Sequence, residues 1–133
     1  MIRFLTDEIV QAIHDDQVRL YGGIYGLRDE GLLSSALSMP KARFAGQFLH
    51  ASLFEMAAAY CFHLSHNQPF LDGNKRVAGM VMLTFLKLNG LEPIASDEEY
   101  YKAMMAVANK HMNKAELAVW LQTAVSGTPP DLE

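Results

Sequence analysis

His66-Asn67-Gln68-Pro69-Phe70-Leu71-Asp72-Gly73-Asn74-Lys75-Arg76 decides how the rest of the chain is read. Its last five residues place an acid, a glycine, an amide and two cations in succession, and an apolar run from Val77 to Leu88 follows at once. That run reads as a helix, so Gly73 and Asn74 fall at a helix start, where free backbone N–H groups and the dipole attract an anion. Asn74 adds an amide donor, Lys75 and Arg76 add charge, and Arg76 can meet a phosphate with two parallel hydrogen bonds. Asp72 offers a hard oxygen, and magnesium is typically held by one or two carboxylates plus substrate phosphates. Pro69 forces Gln68 out of helical geometry, and Phe70 is expected to point into the core. The residues alone leave a second interpretation open. Asp-Gly-Asn is common turn chemistry, Asp72 can be a plain helix cap, and Lys75 and Arg76 can be solvated surface.

Two apolar helices flank this loop. Ala51 to Ser65 is alanine-rich and apolar nearly all round, the pattern of a helix at the centre of a bundle. The helix after the loop carries Val77, Met80, Val81, Leu83, Phe85 and Leu88, and Asn89-Gly90 ends it. Upstream, Thr6 reads as an N-cap with Asp7 and Glu8 in the first turn, and Gly22-Gly23 as the stop. Ile9, Ile13, Val18 and Leu20 are the expected apolar face of that helix, with His14, Asp15 and Asp16 on a solvated acidic one. Ile2 to Leu5 is a strand or an extended lead-in. Asp29 caps a short helix that Pro40 ends, and the glycines from Gly22 to Gly31 are turn formers, because no Gly-Lys-Ser/Thr closes them into a phosphate loop. Lys41 to His50 has no helical period and reads as a short hairpin or a flap. Ser96 to Glu99 and Asn113 to Glu116 have capping-box spacing and open two more helices. The expectation is one all-α domain over residues 1–125, a bundle of about six helices, with a flexible tail over 126–133.

Bulk properties set outer limits. The chain has 133 residues, half of them hydrophobic and a fifth charged, a globular composition long enough to close a core. A net charge of -4 gives no general attraction to nucleic acid or anionic lipid, so neither is expected as a partner. The single cysteine, Cys61, lies between Tyr60 and Phe62 and reads as a buried, inert thiol. With no leader pattern at Met1 and no membrane-length apolar run, a reducing cytoplasm is the simplest placement.

Pro69-Phe70-Leu71-Asp72-Gly73-Asn74-Lys75-Arg76 resembles the signature of the Fic/Doc (Fido) family, His-Pro-Phe-x-Asp-Gly-Asn-Gly/Lys-Arg. Tyr21-Gly22-Gly23, Gly26 to Leu33, Phe85-Leu86-x-x-Asn89-Gly90 and the terminal helices extend the likeness to the death-on-curing (Doc) branch. The resemblance implies a compact Fido-type bundle and a cytoplasmic toxin, paired with an antitoxin, that modifies a protein hydroxyl using ATP. It implies that Asp72 holds Mg and that Gly73, Asn74 and Arg76 hold phosphates. Lys75 stands where nucleotide-transferring members carry Gly, and it favours phosphoryl transfer, with elongation factor Tu as the implied target. The segment containing Arg43, Phe44, Gly46 and Phe48 is implied to be the flap that aligns the target chain as an added strand. The inhibitory signature Ser/Thr-x-x-x-Glu-Gly/Asn is missing, because Gly26 precedes Glu30-Gly31 at the Ser/Thr position, so restraint falls to another chain.

One departure limits the analogy. Gln68 occupies the place of the family's catalytic histidine, and an amide has no proton-accepting site near neutral pH. His66, two residues earlier, is the candidate substitute, and it reaches in only if the loop rearranges. Three outcomes follow for the chemistry: a weakened kinase, a silenced module that binds nucleotide or a protein partner, or nucleotidyl transfer (AMPylation) to a protein.

Overall fold

The computed structural model describes residues 1–132. Six helices are found among the described residues: α1 Asp7–Tyr21, α2 Glu30–Ser38, α3 Leu53–Asn67, α4 Asn74–Leu88, α5 Asp97–Ala108 and α6 Lys114–Ala124. Two two-residue pairings complete it, β1 Arg43–Phe44 with β2 Gln47–Phe48, and β3 Glu92–Pro93 with β4 Val125–Ser126, both antiparallel. The all-α bundle expected from the sequence is therefore the observed class. No helix among the described residues is long and apolar enough to cross a membrane.

α3 is the axis of the bundle, packing against α4, α6, α2 and α5. Ser52 caps it by accepting from the Glu55 N–H at 3.1 Å, and nine of its fifteen residues are buried. Three of those nine are the consecutive alanines Ala57 to Ala59, small enough to let neighbours close in from several sides. Cys61 is fully enclosed, and burial pushes its thiol up to about 12, which makes it inert as expected. α4 lies beside α3 and buries Val77, Ala78, Val81, Met82, Phe85 and Leu86. Both capping boxes predicted for α5 and α6 form, at Ser96/Glu99 and Asn113/Glu116.

Three expectations change. The inner face of α1 is Val10, His14, Gln17 and Val18, whereas Ile9 and Leu20 are 41% and 53% exposed. His14, expected on a solvated acidic face, is only 1% exposed, because the loop after α3 supplies an aromatic ring and a carbonyl for it. Of the two alternatives for Ile2 to Leu5, the extended lead-in is the one that forms, with Arg3 bonded in both directions to the Asn89 side chain and the Leu5 N–H donating to Tyr60 Oη at 3.0 Å. Ser126, expected to begin the tail, pairs with Glu92.

The segment before α3 is a hairpin whose turn residues Ala45 and Gly46 have φ of 53° and 80°. Positive φ at both central positions suits the right-handed twist of paired strands. Its trailing end is tied to the bundle through Lys114, whose Nζ lies 3.3 Å from His50 Nε2 and 3.2 Å from His63 Nε2. Burial, then the charge of Lys114, pushes His63 down from 6.5 to about 4. Between those values the unfolded chain binds a proton at His63 that the folded chain does not. The fold is therefore expected to lose thermal stability progressively as pH falls through that window, with the loss complete below it. Thermal unfolding followed by circular dichroism across the window checks this, and His63→Gln should flatten the slope.

Candidate functional site

The motif loop from Gln68 to Gly73 is held from both sides by main chain. The Gly-rich link answers it: Arg28 and Asp29 N–H groups donate to the Pro69 carbonyl at 2.7 and 3.0 Å, and the Leu71 N–H donates to the Gly26 carbonyl at 3.1 Å. Leu27 and Phe70 form an isolated antiparallel bridge between the two segments. Arg28 then reaches the end of α3, donating through Nε to the Gln68 carbonyl at 2.8 Å and through Nη2 to the Asn67 carbonyl at 2.9 Å. A cation on the last carbonyls of a helix is favoured by the dipole as well as by the hydrogen bonds. Gln68 leaves the helix in the left-handed region, φ 49° and ψ 59°, and not in the extended one. Pro69 disfavours the right-handed basin, and the left-handed turn still lets the Gln68 N–H reach the Leu64 carbonyl at 3.2 Å. For a residue with a Cβ this geometry costs about 1–2 kcal/mol, so the surrounding bonds must hold it.

Phe70 is buried as expected, 2% exposed, and its ring stacks on His14 with centroids 4.0 Å apart and planes within 5°. His14 Nε2 lies 2.7 Å from the Asp72 carbonyl oxygen, which can only accept, so the imidazole donates there. Below this stack the chain turns, and the Asp72 carboxylate emerges on the exposed side. Its Oδ2 accepts from the Ile24 N–H at 3.3 Å and its Oδ1 from the Gly73 N–H at 2.8 Å. Gly23 makes room for it, because a Cβ there would stand 2.9 Å from Asp72 Oδ2.

Gly73, at φ 75°, is the N-cap of α4 and offers no side-chain hydrogen bond to the helix. The first N–H groups of α4 are thus left without a capping side chain, the arrangement that receives anions. Lys75 and Arg76 are both exposed beside them and make no ion pair among the described residues. Arg76 rests lightly on α1, with Nη1 3.4 Å from the Gly22 carbonyl and its guanidinium 5.4 Å from the Tyr21 ring. Asn74 differs from the expectation of a free amide donor. Its Oδ1 accepts from the Phe70 N–H at 2.9 Å and its Nδ2 donates to the Phe70 carbonyl at 3.0 Å, so the side chain locks the loop.

These groups line a cleft of about 540 Å³, a volume suited to a small-molecule ligand. Gln68, Leu71 and Asp72 to Arg76 form one wall, and Tyr101, Met104 and Met105 of α5 form the other. Asp72 is a single carboxylate, and no group of three or more metal-ligating side chains is found among the described residues. That donor set fits a magnesium ion completed by phosphate oxygens and does not fit a protein-caged metal. His66 is exposed, stacks on Phe62 with centroids 5.8 Å apart, and is not among the cleft-lining residues. On the hairpin, Arg43 lies over the Phe48 ring at 3.9 Å and donates to the Gly46 carbonyl, Phe48 packs on Phe4, and Phe44 projects outward, 78% exposed. A second cavity of about 350 Å³, between the lead-in and α2, contains none of the motif residues.

His14, Arg28 and Tyr101 are the residues that reading the motif alone misses. His14 and Arg28 are polar side chains at unremarkable spacings, and only the pairing of two distant segments reveals their partners.

With this geometry in hand, comparison with known proteins assigns the class. The sequence profile of the Fic/DOC family matches residues 4–86, from the lead-in to near the end of α4, and the chain belongs to that family, in its Doc toxin branch. It is 35% identical over 114 residues to Toxin Doc of Mycolicibacterium smegmatis, covering 80% of this chain and 87% of that one. It is 33% identical over 97 residues to the protein named Protein kinase doc of Escherichia phage P1, covering 73% and 76%.

Asn74→Ala leaves the N–H and carbonyl of Phe70 without partners in a half-buried loop. It is expected to destabilise the fold by about 1–3 kcal/mol. Urea denaturation measures this, and an unchanged midpoint would show that the amide clamp contributes nothing.

Proposed function

We propose that this chain is a Doc-like toxin that phosphorylates a hydroxyl of a protein target, with ATP as phosphoryl donor and an antitoxin as its restraint. The observation that carries the proposal is the uncapped N-terminus of α4, flanked by exposed Lys75 and Arg76 and faced by the Asp72 carboxylate in one cleft. Phosphoryl transfer depends mainly on positioning and on charge stabilisation, and this wall supplies both. The first N–H groups of α4 and Arg76 receive the polyphosphate oxygens, and Lys75 adds charge where the leaving group gathers it. Magnesium, bound by Asp72 and by phosphate oxygens, would neutralise charge on the transferred group. The hydroxyl oxygen attacks phosphorus, the bond to the bridging oxygen breaks, and the hydroxyl proton passes to solvent or to a phosphate oxygen. Gln68 orients the hydroxyl by hydrogen bonding but takes no proton. The hairpin offers the backbone of β1 and β2, with exposed Phe44, to an extended target segment.

The name Protein kinase doc, carried by a relative at 33% identity, supports phosphoryl over nucleotidyl transfer. Elongation factor Tu is the target to try, which places the reaction in the cytoplasm. Incubation with γ-labelled ATP, magnesium and that factor should label the factor, and α label should not transfer. Label arriving only from the α position would replace this proposal with AMPylation.

A second reading rests on Gln68. Loss of a general base lowers rates by roughly 10²–10⁴-fold, enough to leave a module that binds nucleotide or a protein partner and does not turn over. Gln68→His should raise transfer by about that factor if the rest of the site is competent. Wild-type transfer equal to that of the variant would eliminate the silenced-module reading.

A further inference from the structure

His50, His63 and Lys114 lie outside the motif cleft, and none of the chemistry above uses them. They converge from three parts of the chain: the trailing end of the hairpin segment, the C-terminal half of α3 and the first residue of α6. The Lys114 ammonium stands 3.3 Å from His50 Nε2 and 3.2 Å from His63 Nε2. An ammonium only donates, so both Nε2 atoms are acceptors and each ring carries its proton on Nδ1. His66 adds a third imidazole, acting on His63 through space, and it shares the Phe62 ring with Lys114, whose Nζ is 5.6 Å from the ring centroid.

Each placement runs against a local preference. Lys114 occupies the first turn of α6, where the helix dipole disfavours a cation. His50 is 8% exposed, yet its Nδ1 makes no hydrogen bond, although the Met39 main chain is near enough to favour the protonated ring. Burial, then the charge of Lys114, disfavours the protonated forms of His50 and His63, and burial lowers Lys114 itself. Glu55 acts on His50 in the opposite sense, favouring the protonated ring. Local rules broken together at one place mark functional or strained positions.

An oxyanion against Lys114 and His63 neutralises the ammonium, complements the start of α6, and makes imidazolium favourable where it is now disfavoured. We infer that His50, His63 and Lys114 form an oxyanion-binding site at the junction of the hairpin, α3 and α6, taking a phosphate or a carboxylate group. Binding there takes up a proton, so affinity rises as pH falls, and the occupant fixes the trailing end of the hairpin.

The test is a titration of the full chain, followed through the imidazole C–H signals by NMR, with inorganic phosphate and separately with acetate. Sodium chloride at matched ionic strength is the control for screening. The His50 and His63 signals should shift saturably, while exposed His111 follows the chloride control. The titration midpoint of His63 should rise, each unit of rise corresponding to roughly tenfold tighter binding to the protonated ring. Saturation by phosphate alone assigns a phosphate site, and saturation by acetate alone assigns a carboxylate site. Lys114→Met should abolish the saturable shift and Lys114→Arg should retain it. Shifts that merely track chloride, or that survive in Lys114→Met, overturn the inference. If Lys114→Met fails to fold, the wild-type titration against chloride decides alone.

Discussion

The hydrogen bond from His14 Nε2 to the Asp72 carbonyl, made beneath the stacked rings of His14 and Phe70, is the constraint on which the site depends. A buried imidazole must find an acceptor or lose the free energy of an unsatisfied polar group. The acceptor here is the main chain of the residue whose side chain the cleft uses. The Asp72 carbonyl faces His14 while its carboxylate is held on the exposed side by the Ile24 and Gly73 N–H groups. The same bond fixes the rotation of α1, because the face that carries His14 must look toward the loop.

The rest of the loop is arranged to remain stiff without substrate. Asn74 closes on Phe70 through both ends of its amide, Arg28 closes on Gln68 and Asn67, and Pro69 is answered from the Gly-rich link. Against this rigid frame the start of α4 is left open. A group aimed at a developing charge is worth most when it need not reorganise to act. A locked loop beside an uncapped helix start is an arrangement suited to receiving an anion.

How much of this the sequence made legible depended on the range of the interaction. The capping boxes at Ser96/Glu99 and Asn113/Glu116, the Thr6 cap and the burial of α3 are local signals and were read directly. The phase of α1 was not, because its inner face includes His14 and Gln17, which hydrophobic periodicity counts as outward-facing. The pairing of β3 with β4 joins two-residue segments far apart in the chain, too short for any alternation to register. In the site, Asp72 to Arg76 were found as a cluster, but the engagement of the Asn74 amide by Phe70 was not visible. Spacing tells which residues are neighbours and not which way an amide turns. Tyr101 of the opposite wall carried no signal beyond being aromatic.

The left-handed backbone at Gln68 has a consequence for how the family position can change over time. Histidine is among the side chains enriched in that basin, so the main chain already suits it. Glutamine and histidine codons differ only at their third base. The frame imposed by Pro69, Arg28 and Leu64 therefore suits a histidine as well as the glutamine that stands there. Gain or loss of a proton acceptor at this site is a single-nucleotide event that the fold does not oppose.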